Sequence, residues 1–168
     1  MTVKNMVQAA VFMAFGVVLP IAFHMVGAAG PIFLPMHIPV LLAGLLLGPR
    51  LGLIVGVLTP ILSSLTTGMP PLYPVMPMMA VELGLYGFTG GLFHKTLHLG
   101  VFPSLIGAMI AGRLGTALTL ALFAESLGIT VPPLTYVGYS VAKGMIGIVI
   151  QLACIPLLVR RLERFRQD

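Results

Sequence analysis

Three ionisable side chains lie inside long apolar stretches of the chain and are its first candidates for chemistry: Glu82, Arg113 and Lys143. A charge in lipid costs roughly 3 kcal/mol on insertion scales, so such residues normally pair or face a polar cavity. Counted from the helix ends, all three lie roughly 10 to 17 Å below the same membrane face, at about 1.5 Å per residue, and could meet. They form either a structural ion pair or the polar floor of a pocket. Because two cations exceed one carboxylate, the pocket is the favoured interpretation.

Aromatic and sulfur-containing side chains accompany these charges. Tyr86 follows Glu82 by four residues and Tyr139 precedes Lys143 by four, so each phenol shares a helix face with a charge. The methionines near Glu82 could grip a flat ligand or simply belong to the core. His37 follows the first loop and is either a ligand-binding or an interfacial histidine. The candidate substrate-binding residues are Glu82, Tyr86, Met69, Tyr73, Met78, Met79, His37, Arg113, Tyr139 and Lys143.

The composition excludes a water-soluble globule. Of 168 residues, 58% are hydrophobic and 8% are charged, whereas soluble domains average about 25% charged residues. A membrane helix needs roughly 20 apolar residues, so the length allows about six crossings and no second domain. We therefore expect one transmembrane domain over residues 1–168, an all-α integral membrane bundle of six transmembrane helices. The single cysteine, Cys154, reads as a packing thiol.

Glycine and proline mark the ends of the expected helices. Gly48-Pro49-Arg50 predicts a tight turn between two antiparallel helices, the first of them short. The segment TTGMPPLYPVMP at residues 66–77 predicts an ordered loop. The expected spans are residues 6–27, two runs within 38–67, and residues 75–93, 100–124 and 135–159. Five spans with one re-entrant segment are the alternative.

The distribution of basic residues predicts the orientation. Cytoplasmic segments carry the excess of Lys and Arg, and the following residues then share one side: Lys4, Arg50, Lys95, Arg160, Arg161, Arg164 and Arg166. We therefore expect a multi-pass protein of the cell membrane with both termini in the cytoplasm. The net charge of +5 fits contact with anionic lipid heads in the bilayer, and no separate basic face suggests nucleic acid.

Small residues at four-residue spacing let helices approach closely in lipid. Gly44, Gly48, Gly52 and Gly56 form one such stripe and are expected to pack the bundle itself. Ala10 and Ala14 lie on the first helix, where a similar face could instead receive a partner helix.

Motifs for catalysis are not found in the sequence. It contains no phosphate-binding Walker loop and neither His-x-x-x-His nor His-Glu-x-x-His. Glu82 is the one carboxylate within the predicted spans, so a carboxylate dyad is not supported. We expect neither an enzyme nor a metal site, and no cofactor.

The order of these features resembles the substrate-specificity (S) components of energy-coupling factor (ECF) vitamin transporters. The matching segments are Ala10-x-x-x-Ala14, HIPVLLAGLLLGPRLGLIVG at residues 37–56 and MMAVELGLYGFTGGLF at residues 78–93. The resemblance implies a six-helix bundle that binds a vitamin-like small molecule between its outer loops. It also implies that Ala10 and Ala14 dock on a transmembrane coupling subunit, which two ATP-binding cassette ATPases drive, and that the loaded component topples in the membrane.

Departures from the family patterns narrow the range of expected ligands. The chain begins Met1-Thr2-Val3 and lacks the Met-x-His start of nickel and cobalt members, and it contains no Trp for the aromatic cage of the thiamine branch. The overall pattern is similar to members linked to cobalamin precursors such as alpha-ribazole. Pantothenate, riboflavin and a folate-type pterin are the alternatives. A rival function is a self-sufficient proton-coupled transporter, for which Glu82 would be the titrating carboxylate.

Overall fold

A computed structural model describes residues 2–24 and 30–167, and all regular structure in these ranges is helical. This confirms the all-α class. The helices are α1 (Val3–His24), α2 (Gly30–Phe33), α3 (His37–Leu47), α4 (Pro49–Thr67), α5 (Val75–Gly91), α6 (Val101–Phe123), α7 (Pro133–Lys143) and α8 (Met145–Gln167). A π-helical turn, Leu92–Thr96, continues α5.

Within the described ranges, four helices are long and apolar enough to cross a bilayer: Val3–Phe23, Pro49–Thr67, Val101–Phe123 and Met145–Arg164. The helices α3 and α5 are shorter, with 11 and 17 residues. At about 1.5 Å per residue, α3 rises only roughly 17 Å. The chain therefore has the helices of a membrane protein, and six crossings stay a prediction.

The turn predicted at Gly48-Pro49-Arg50 is confirmed. Gly48 adopts a φ of +91°, a conformation that side chains rarely permit, and its N–H donates to the Gly44 carbonyl at 2.9 Å. Pro49 begins α4, where its missing N–H leaves no hydrogen bond unmade. The local sequence alone therefore sets where α3 ends.

The proline-rich loop is shorter than predicted. The helix α4 continues to Thr67 and α5 begins at Val75, as the expected spans have it, so the loop covers only residues 68–74 of the segment 66–77. A proline is tolerated in the first turn of a helix, which lets α5 begin within the proline-rich segment. The hydroxyls of Ser63 and Ser64 each donate to a loop carbonyl at 2.6 Å, which fixes the loop on the end of α4.

The last predicted span, residues 135–159, is interrupted in the structure. The helix α7 ends at Lys143 and α8 begins at Met145. A Cβ on Gly144 would lie 2.9 Å from the Leu34 side chain, and one on Gly147 would lie 2.6 Å from the Phe33 carbonyl oxygen. The short helix α2 and the residue after it therefore pack directly against this break. The prediction of one continuous helix was wrong here.

Glycines bring the backbones of α3, α4 and α5 into direct contact. We call Gly44, Gly52, Gly56, Gly87 and Gly91 the glycine seam. A Cβ on Gly44 or Gly52 would overlap the Gly87 carbonyl oxygen, and one on Gly56 would overlap that of Leu83. The apolar core lies beside the seam and includes the fully buried residues Val40, Leu41, Leu45, Val55 and Leu83. The prediction that the stripe packs the bundle is confirmed for Gly44, Gly52 and Gly56, whereas a Cβ on Gly48 would meet nothing within 4 Å.

Candidate functional site

A cavity of about 450 Å³ opens at the end of the bundle where α3, α5 and α7 begin. We call it the binding cavity, since its volume lies in the range of small-molecule sites. The proline-rich loop and the end of α1 complete its wall. It is lined by Pro20, Leu34, Pro35, Met36, His37, Met69, Pro70, Pro71, Val75, Met79, Glu82, Arg113, Tyr136, Tyr139, Ser140 and Lys143.

Glu82 lies at the centre of the cavity floor and is 7% exposed. Its Oε2 accepts a hydrogen bond from the Thr116 hydroxyl at 3.0 Å. Its Oε1 lies 3.0 Å from Nη1 of Arg113 and 3.5 Å from Nε2 of His37. Three helices, α3, α5 and α6, therefore contribute side chains around one carboxylate. We call Glu82, Arg113, His37 and Thr116 the polar floor.

Arg113 joins the polar floor to α7. Its Nη1 also donates to the Ser140 hydroxyl at 2.9 Å. Its Nε and Nη2 are buried without a hydrogen-bond partner in the described part of the chain, as is Nδ1 of His37. Buried polar atoms normally have a partner, because leaving one unmatched costs about 1 to 3 kcal/mol. The polar floor therefore contains unmatched hydrogen-bonding atoms on residues that line the cavity.

Lys143 lies on the cavity wall, away from the carboxylate. Its Nζ is 5.8 Å from the centroid of the Tyr139 ring, and both side chains are exposed. Among the residues that the structure describes, no carboxylate forms an ion pair with it. Of the three charges expected to meet, the structure joins Glu82 and Arg113 and leaves Lys143 apart.

The four candidates from the proline-rich loop and the start of α5 separate into two groups. Met69 and Met79 lie on the cavity wall. Met78 is 3% exposed and packs in a small cluster with Leu120 and Leu127. Tyr73 is 58% exposed and does not line the cavity. Two of these four candidates, Met69 and Met79, therefore belong to the binding cavity.

Tyr86 lies below the polar floor and does not line the cavity. It is 2% exposed, and its ring meets the His37 ring edge-on, with centroids 5.4 Å apart. A Cβ on Gly112 would overlap the Tyr86 ring, so this glycine lets α6 lie against the tyrosine. Tyr86 supports the floor from beneath and orients His37.

Three polar residues of the site were missed from the sequence: Thr116, Tyr136 and Ser140. A signal existed for two of them. Thr116 follows Arg113 by three residues and Ser140 precedes Lys143 by three, so each shares a helix face with a predicted charge. Tyr136 lies one turn before Ser140 and carries no signal of its own.

The first helix has one packed face and one exposed face. Ala9 is 3% exposed, and a Cβ on Gly16 would overlap the Thr59 side chain of α4. Ala10 and Ala14 are both exposed. The small-residue face expected to receive a partner is therefore not used for packing inside the bundle.

Comparisons with known proteins agree with this architecture. A family model described as "ECF transporter, substrate-specific component" matches residues 4–159. The comparisons with curated proteins and with solved structures return no match. The family description names no substrate, so the cobalamin-precursor branch stays a prediction. Because the match covers nearly the whole chain, the chain belongs to the substrate-specific components of ECF transporters.

Proposed function

We propose that this chain is the high-affinity substrate-binding subunit of an ECF-type importer and that it binds a vitamin or vitamin precursor without transforming it. One observation carries the proposal: buried polar atoms of Arg113 and His37 have no hydrogen-bond partner in the described part of the chain, and both residues line a cavity of about 450 Å³. Such an arrangement is typical of a site that a polar ligand completes.

For the ligand, we propose alpha-ribazole or a related cobalamin precursor as the first molecule to test. The wall of the binding cavity combines Met79 with the rings of Tyr136 and Tyr139, which suits a flat heterocycle. The polar floor suits hydroxyl groups or ring nitrogens. Pantothenate, riboflavin and a folate-type pterin meet the same requirements and are the competing ligands.

We propose that the chain crosses the membrane six times, with both termini in the cytoplasm. The helices α3 and α5 then complete the crossings inside the bundle, where the glycine seam holds them against α4. Arg50 and Lys95 lie at the end of the bundle away from the binding cavity. Under the positive-inside rule that end is cytoplasmic, so the binding cavity opens to the outside.

The partners in this proposal are a transmembrane coupling subunit and two ATP-binding cassette ATPases. The exposed face of Ala10 and Ala14 supports docking on the coupling subunit, because small residues allow two helix backbones to approach. The chain itself then needs no site for ATP.

Native mass spectrometry of the detergent-purified chain tests the binding function directly. We expect one non-covalently bound small molecule per chain, which is released on mild activation. The alternative is a self-sufficient proton-coupled transporter, with Glu82 as its titrating group. Absence of any bound molecule, together with proton-coupled transport in vesicles that contain this chain alone, would overturn the proposal.

Substitution on α1 tests the docking function. Replacing Ala10 or Ala14 by Trp is expected to abolish uptake in cells that carry the complete transporter, because a bulky side chain prevents close helix approach. Ligand affinity of the purified chain should stay unchanged, since neither residue lines the binding cavity. Ala153→Trp on the exposed face of α8 is the matched control. Equal loss of binding and uptake would show that α1 serves the bundle alone.

A further inference from the structure

The charges at the binding cavity do not balance. Among its lining residues, Glu82 is the one carboxylate, whereas Arg113 and Lys143 are both cations. Glu82 and Arg113 lie 3.0 Å apart and offset each other. Lys143 therefore adds a positive charge that no carboxylate of the cavity lining offsets.

The described part of the chain supplies no counter-ion for Lys143. The chain has four acidic residues: Glu82, Glu125, Glu163 and Asp168. Glu82 pairs with Arg113, and Glu163 lies 2.6 Å from Nζ of Lys95. Glu125 forms no ion pair in the structure, and Asp168 is outside the described residues. The contact of Lys143 with the Tyr139 ring is a weak attraction that leaves the charge unneutralised.

The position of Lys143 suits a charge held ready for a ligand. It is the last residue of α7, and the C-terminal carbonyls of a helix stabilise a nearby cation. Its side chain is exposed to the cavity, which avoids the cost of burying an ammonium group before a ligand arrives. A lysine that served only to end α7 would not need to lie on the cavity wall.

We infer that the ligand carries an anionic group, a carboxylate or a phosphate ester, which binds the ammonium of Lys143 while its polar remainder meets the floor of Glu82 and Arg113. The inference rests on the proposed function and narrows its ligand. Pantothenate and folate-type pterins carry a carboxylate. Alpha-ribazole and riboflavin are uncharged, so a cobalamin precursor or a flavin would satisfy the site only as its phosphate ester.

Isothermal titration of the purified chain with matched acid and neutral compounds tests the inference. The pairs are pantothenate and pantothenol, alpha-ribazole 5′-phosphate and alpha-ribazole, and riboflavin 5′-phosphate and riboflavin. We expect an acid to bind at least about tenfold more tightly than its neutral partner, the effect of one charge-assisted hydrogen bond. In Lys143→Gln this preference should disappear through weaker binding of the acid alone, and Lys143→Arg should retain it.

Lys95→Gln is the control for Lys143→Gln. It also removes a lysine charge, but in the turn after the far end of α5, and it should leave the preference for the acid intact. A neutral compound that binds as tightly as its acid, or an unchanged acid affinity in Lys143→Gln, overturns the inference and leaves the proposed function standing. If none of these compounds binds, fragmentation mass spectrometry of the molecule that co-purifies decides: a carboxyl or phosphate group supports the inference, and its absence overturns it. If the proposed function itself is wrong, the result differs: the purified chain then carries no bound small molecule.

Discussion

The glycine seam and the polar floor both include residues of α5, and they follow opposite rules. Gly87 touches the backbone of α4 so closely that no Cβ fits, whereas Glu82, five residues earlier, borders an open cavity. In the seam the facing backbones leave no room for a Cβ. In the floor several buried polar atoms have no hydrogen-bond partner in the described part of the chain. The helix α5 is therefore held by close packing at one end and can bind a ligand at the other.

The largest effect is expected from placing a side chain in the glycine seam. Gly87→Leu should prevent folding, because its side chain would meet the Gly52 carbonyl and overpacking against backbone costs about 3 kcal/mol or more. Gly138→Leu is the matched control, since a Cβ there meets nothing within 4 Å. Size-exclusion profiles and thermal unfolding in detergent compare the two. A monodisperse Gly87→Leu protein with the wild-type melting temperature would show that the seam is not a fixed contact.

The next largest effect is expected from removing the floor's cation. Arg113→Met leaves the Glu82 carboxylate buried without its cation, which should lower the free energy of unfolding by about 3 to 5 kcal/mol. The double variant Glu82→Gln/Arg113→Met should recover most of that loss, because no unpaired charge remains, and should still fail to bind ligand. Chemical denaturation of both variants measures this. A double variant as unstable as the single one would contradict the assignment of the cost to an unpaired charge.

A smaller effect is expected at the link between the floor and α7. Ser140→Ala removes the hydroxyl that accepts from Nη1 of Arg113 at 2.9 Å. A hydrogen bond to a charged group contributes about 1.5 to 3 kcal/mol, and only part of this reaches the ligand through the position of Arg113, so ligand affinity should fall roughly tenfold. Titration against Ser104→Ala, a buried serine that does not line the cavity, provides the control. Equal affinities in the two variants would mean that Ser140 does not position Arg113.

Much of the glycine seam could be predicted from sequence, because its residue pattern fits few structures other than close helix packing. Glycines every four residues in an apolar run have little use except close helix contact, and Gly48-Pro49 has little use except a turn. The break at Gly144 was missed for the same reason, since a glycine within an apolar run reads as a packing residue. The segment that lies against the break, α2 and Leu34 after it, comes from a distant part of the chain.

The binding cavity was only partly predictable. The sequence predicted that Glu82 could meet Arg113 and Lys143, because a charge in lipid needs a partner, but it did not show which cation pairs with the carboxylate. Met78 and Met79 are adjacent, yet only Met79 lines the cavity, since neighbouring helical residues point about 100° apart and the rotation of α5 is set by the seam. Tyr86 was placed on the correct face but at a depth that puts it beneath the floor.

We propose that Glu82 binds a ligand and is not only one partner of a structural ion pair with Arg113. The most direct test of this claim is to measure the ligand affinity and the melting temperature of Glu82→Gln on one preparation, with the molecule that co-purifies with the wild-type chain. The amide keeps the shape of the side chain and still offers a carbonyl to Arg113. We predict at least a roughly tenfold loss of affinity, about 1.5 to 3 kcal/mol, with a folded protein. Unchanged affinity with a lowered melting temperature would contradict the claim.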